Sequence, residues 1–111
     1  MIEKSFFDKY YMSMDKEKIF KILQDNMRTI KQFGVSNIGL FGSYAQYRDK
    51  KESDIDILIH FKKGKKSFDN YMDLKFFLED LLEGHKVDLV IDDALKPALK
   101  ERILETVEYA T

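Results

Sequence analysis

Two aspartates in an isoleucine run, Asp54 and Asp56 of SDIDILIHF, are the residues of this 111-residue chain whose types and spacing point most directly to chemistry. If the run is a strand, both carboxylates leave one face, while Ile55, Ile57, Ile59 and Phe61 leave the other and supply the apolar side. A third carboxylate, Asp88, interrupts the apolar run KVDLVI at 86–91. Burying it there costs free energy unless it is exposed at an edge, paired or bound to a cation. Taken alone, Asp88 reads as a strand-end residue salt-bridged to a lysine. Beside Asp54 and Asp56 it completes a hard oxygen donor set of the kind that suits Mg²⁺ or Mn²⁺ with substrate phosphates as further ligands.

Upstream, VSNIGLF at 35–41 runs into Gly42-Ser43 and then SYAQYRD, in the order strand, turn, helix start. A helix N-terminus preceded by glycine offers backbone N–H groups and close access to a phosphate, and the serine hydroxyl adds a donor. A Gly-Ser pair is by itself usually a turn or a cap, so its neighbours give it weight.

The elements that must position these groups follow from periodicity. Asp15 can cap an amphipathic helix to Phe33, with Ile19, Leu23, Met27 and Ile30 on its stripe and Gly34 as its stop. A second helix is predicted from about Ser67 to Leu82, with Tyr71, Leu74, Phe77, Leu78 and Leu81 near one stripe and Gly84 closing it. The last begins near Pro97, with Asp92 and Asp93 as cap candidates and Leu99, Ile103, Leu104 and Val107 as its core-covering stripe. The order is therefore α-β-α-β-α-β-α, an α/β (α+β) fold in which a small mixed sheet is flanked by helices. The short link between the first two strands favours an antiparallel pair, and the helix between the second and third is the usual parallel crossover. Asp54, Asp56 and Asp88 can then collect at one sheet edge facing the Gly-Ser turn.

Composition narrows the function classes. With 44% hydrophobic and 35% charged residues, 15–111 forms one domain with a real core, preceded by an aromatic-rich arm at 1–14 carrying Phe6, Phe7, Tyr10 and Tyr11. The arm is expected to pack on the domain, or alternatively to dock a partner. A formal charge of −1 gives no global field for nucleic acid. Four lysines at 62–66 read as a solvated turn. Without cysteine there is neither a disulfide nor a thiolate metal site, and no stretch suits a signal peptide or a membrane span, so the expectation is a cytoplasmic protein.

The pattern Gly42-Ser43, ten residues, Asp54-Ile-Asp56-Ile, then Asp88 in an apolar strand resembles the nucleotidyltransferase superfamily of DNA polymerase β. The short chain and the wording GSYA…SDIDILI are similar to its minimal nucleotidyltransferases, and the likeness covers most of the chain. The resemblance implies a polymerase β palm-like core in which Gly42 and Ser43 hold the triphosphate of ATP. It also implies that Asp54 and Asp56 bind two Mg²⁺ ions, and that Asp88 binds one of them and helps deprotonate the incoming hydroxyl. It further implies an antitoxin that pairs with a HEPN ribonuclease toxin, in some cases moving AMP onto a toxin tyrosine, and hence a hetero-oligomer. One departure stands out. Family members commonly read GSxARG, whereas here Ala45 is followed by Gln46-Tyr47 and the nearest arginine is Arg48. An arginine shifted by two positions on a helix points elsewhere, so the interaction it usually makes is either missing or remade.

A non-catalytic antitoxin that neutralises its partner by surface contact is the alternative function. A small-molecule nucleotidyltransferase of the antibiotic-modifying kind would normally carry a further domain, for which this length leaves no room. His60 shares the face of Asp54 and Asp56 but lies four residues on, roughly 13 Å away, and reads as structural. His85 beside Gly84 reads as exposed and incidental. Tyr44 and Tyr47 flank the turn and are expected to pack or face solvent rather than stack on a base.

Overall fold

The computed structural model describes residues 14–49 and 53–111; the aromatic arm, Phe6, Phe7, Tyr10 and Tyr11 included, lies outside the described residues. Helix α1 (Lys16–Asp25) and the short α2 (Met27–Gln32) lead into β1 (Val35–Phe41) and a single helical turn, α3 (Gly42–Ala45). Strand β2 (Ile55–Phe61), helix α4 (Phe68–Leu81) and strand β3 (Val87–Ile91) follow. A 3₁₀ turn (Asp92–Ala94), helix α5 (Pro97–Thr106) and a two-residue β4 (Glu108–Tyr109) complete the chain's described elements. The sheet order is β3-β2-β1-β4, with β1 antiparallel to both β2 and β4, and β2 parallel to β3.

Alternation along β2 organises the molecule. Ile55, Ile57 and Ile59 are fully buried in the main apolar cluster with Ile19 and Leu23 of α1, Ile30 of α2, and Leu74 and Leu78 of α4. Asp56 and His60 are half-exposed on the other face, as strand geometry requires. Truncating a side chain as enclosed as Ile57 to alanine costs about 2–5 kcal/mol, so this face fixes the register that presents Asp56. The N-caps of α1 and α4 are the expected kind: Asp15 accepts from the Lys18 N–H at 2.8 Å, and Ser67 accepts from the Asn70 N–H at 3.1 Å.

Four sequence expectations need correction. The helix over 15–33 is two helices, because Asn26 leaves helical geometry (φ −111°, ψ 15°) and its side-chain amide donates to the Ile22 carbonyl at 2.8 Å. That bond competes with the helix's own ladder. Asp92 and Asp93 do not cap α5, whose N-cap is Lys96 with no side-chain bond; they form the 3₁₀ turn instead. Only Ile103 of α5's residues is buried, while Leu99 and Leu104 are 48% and 43% exposed, so α5 covers much less core than its pattern suggests. Strand β4 is too short to leave a periodic signal and exists because Gly39 and Leu40 of β1 pair with Tyr109 and Glu108.

Candidate active site

The site is built where β1 ends against β2. Phe41, the last residue of β1, is the register partner of Asp56, and the next residue, Gly42, turns away at φ +75°. A Cβ on Gly42 would lie 2.1 Å from Asp56 Oδ2 and 2.9 Å from its Cγ. Only glycine therefore fits between the turn and the carboxylate, for reasons of backbone angle and of space. Phe41 caps α3 from an extended conformation without a side-chain bond, so the first-turn N–H groups from Gly42 onward have no acceptor within the helix. The turn closes behind them through the Arg48 N–H, which donates to the Ser43 carbonyl at 2.7 Å.

Electrostatics completes the arrangement. The parallel register sets Asp56 opposite Asp88 on the same sheet face. Burial pushes the Asp56 carboxyl from its ordinary 3.8 up to about 6, and the negative charge of Asp88, a hydrogen bond with Asp88 and the charge of Asp54 push the same way. Asp54 precedes the strand and is half-buried, whereas Asp88 is exposed at the edge. Like charges held this close are stable only when they share a proton or a cation. With oxygen donors alone, an open outer side and a glycine cradle beside Asp56, these residues fit Mg²⁺ or Mn²⁺.

A second polar cluster occupies the far end of the same strands. His60 Nδ1 lies 2.9 Å from Asp92 Oδ1 and 3.6 Å from Asp93 Oδ2, and one ligand atom from each of the three residues lies within 4.8 Å of the others. Asp54, Asp56 and Asp88 form no group that tight among the described residues. Nothing local in the sequence marks His60, because its partners lie more than thirty positions away. The signal that finds them is the register, in which Ile59 pairs with Ile91 and the next positions are His60 and Asp92.

The flanking residues divide as follows. Tyr44 is buried in the main cluster, and Tyr47 is exposed, its hydroxyl donating to Glu17 Oε1 at 2.6 Å. Arg48 lies beyond the end of α3, and its guanidinium donates to the Gln46 side chain. His85 is partly rather than fully exposed. Lysines 62, 63, 65 and 66 are exposed on a turn closed by the Lys65 N–H to the Lys62 carbonyl. No helix among the described residues is long and apolar enough to cross a membrane.

A four-stranded mixed sheet that presents paired carboxylates beside a glycine-opened turn defines a small nucleotidyltransferase. Residues 17–109 match the model of the polymerase beta nucleotidyltransferase family, and the chain belongs to that family, among its minimal members. It is 38% identical over 94 residues to the protein adenylyltransferase MntA of Thermococcus cleftensis, covering 84% of this chain and 93% of that protein. It is 42% identical over 89 residues to a candidate protein adenylyltransferase of Methanocaldococcus jannaschii, covering 80% and 86%. A solved structure described as a candidate minimal nucleotidyltransferase superposes with a TM-score of 0.76 at 30% identity, covering 86% of this chain and 95% of that one. The MNT antitoxin in complex with a tri-AMPylated HEPN toxin of Shewanella oneidensis superposes at 0.55 with 25% identity, covering 86% and 68%.

Proposed function

We propose that this nucleotidyltransferase moves AMP from ATP onto a hydroxyl of a partner protein, and that the partner is a HEPN-type toxin which the modification silences. The observation that carries the proposal is Asp56 pressed against the Gly42 turn with Asp88 as its register partner, a concentration of negative charge that nothing in the core requires. The adenylyltransferase relatives and the AMPylated toxin complex support the choice of nucleotide and partner.

In the proposed reaction the acceptor oxygen bonds to the α-phosphorus of ATP, the bond from that phosphorus to the bridging oxygen of the β-phosphate breaks, and pyrophosphate leaves. The hydroxyl proton passes to a neighbouring carboxylate, for which exposed Asp88 is the accessible candidate. Gly42 and Ser43 offer donors to the triphosphate. Asp54, Asp56 and Asp88 would hold the divalent ions, two Mg²⁺ in the family's pattern, which supply charge stabilisation at the attacking and leaving oxygens. Residues 15–111 act as a single catalytic unit in the cytoplasm, with the acceptor surface supplied by the partner in a hetero-oligomer.

Incubation with α-labelled ATP, Mg²⁺ and the HEPN protein encoded nearest to this chain is expected to label the partner, and Asp54→Asn/Asp56→Asn to abolish labelling. Equal labelling by the double variant would defeat the proposal. A non-catalytic antitoxin acting by surface contact is favoured by one observation, the exposed Leu99 and Leu104 on α5. It predicts that the double variant still protects cells as well as wild type.

A further inference from the structure

Tyr47, just past the phosphate turn, has its backbone in the left-handed region at φ 55°, where a bulky side chain is rarely found. Its side chain is 64% exposed, so the core does not hold it there. Helix α1 does. The phenol donates to Glu17 at 2.6 Å, Lys16 Nζ stands 4.9 Å from the ring centroid, and Lys16 is ion-paired with Glu108 of β4. Helix α1 packs on the sheet face opposite Asp56, through Ile19 and Leu23, so the contact reaches round the end of β1 from behind. Strand β4 pairs with Gly39 and Leu40, shortly before the turn. The same few side chains thus brace the chain on both sides of Gly42-Ser43. Glycine at position 47 would adopt this backbone without strain, and what tyrosine adds is the tie to α1.

We propose that the Tyr47–Glu17–Lys16 clamp positions the phosphate turn: by fixing the left-handed exit of α3, it keeps the N–H groups of Gly42 and Ser43 aimed where a nucleoside triphosphate docks. This rests on the nucleotidyltransferase function proposed above. Tyr47 is a positioning residue, acting through the Arg48 N–H that closes onto the Ser43 carbonyl.

The test compares wild type with Tyr47→Gly and Tyr47→Phe, measuring Mg²⁺-dependent ATP binding, thermal midpoint and amide exchange at Arg48. Tyr47→Gly permits the backbone angle without strain but no longer holds it there, and is expected to weaken ATP binding by about tenfold. Its thermal midpoint should be unchanged or higher, and Arg48 exchange faster. Tyr47→Phe keeps the ring by Lys16 and loses only the bond to Glu17, so a loss of about threefold is expected. Unchanged ATP affinity in Tyr47→Gly, with wild type binding normally, would overturn the clamp and leave the enzymatic proposal standing. Wild type that binds no ATP would overturn both.

Discussion

The parallel strands β2 and β3 carry a polar cluster at each end of one face, and the two clusters differ in where their partners come from. At the far end, His60 Nδ1 lies 2.9 Å from Asp92 Oδ1 and Lys100 Nζ lies 4.0 Å from Asp93 Oδ1, so each carboxylate has a nitrogen partner within the fold. At the near end, Asp56 faces Asp88 with Asp54 close by, three groups of one sign beside a turn that only glycine can make. A polar pair that is complete within the fold serves the fold. One that is stable only with a proton or an outside cation is kept at the expense of stability, as function-bearing sites commonly are.

That contrast meets its most severe challenge at Asp56. Asp56→Asn is expected to lower nucleotidyl transfer by roughly 10³-fold or more, since several kcal/mol of charge stabilisation is lost. The same change should raise the metal-free protein's melting temperature, because it removes the repelling charge. A variant that loses activity and stability together would contradict the picture. Gly42→Ala comes next: the methyl meets Asp56 Oδ2 at 2.1 Å with φ in the left-handed region, so activity should fall by about 10²-fold or more. Stability should fall with it by about 2 kcal/mol, measured by urea denaturation.

The far cluster should behave in the opposite way. His60→Ala is expected to cost about 1 kcal/mol of stability and to leave transfer within about twofold of wild type. Single-turnover rates beside thermal melts would check it, and a large rate loss would mean that the two ends are coupled. The smallest effect is in pH. The folded-state value of Asp56 lies near 6, above its ordinary 3.8, so the native protein keeps a proton that the unfolded chain releases. Metal-free stability should therefore fall as pH rises from about 4 to about 6 and then level off, by roughly 1 kcal/mol once its half-exposed position is discounted. Saturating Mg²⁺ should flatten that slope, which melts at pH 4.5 and 7.5 with and without the ion would show.

Much of this was legible in the residues. The alternation of Asp56 and His60 with Ile55, Ile57 and Ile59 dictates the two faces of β2, because a strand's period is two and one face must be buried. Gly42 marks a turn by residue type and context alone, as Asp15 and Ser67 mark the starts of α1 and α4. Other features escaped local pattern. Asn26 splits a periodic helix through a side-chain bond that propensity does not foresee, and α5 shows an apolar stripe of which only Ile103 is enclosed. Periodicity reports which face is apolar and is silent on whether anything covers it.

Sequence by itself therefore determined the order of the main elements and the faces of the central strand, since each depends on neighbours a few positions apart. Tertiary structure alone decided that Asp56 meets Asp88, that His60 meets Asp92 and that Tyr47 reaches Glu17. Those meetings depend on strand register and on a helix packed behind the sheet, and they join residues about thirty positions apart, a distance over which the chain's local preferences carry no information.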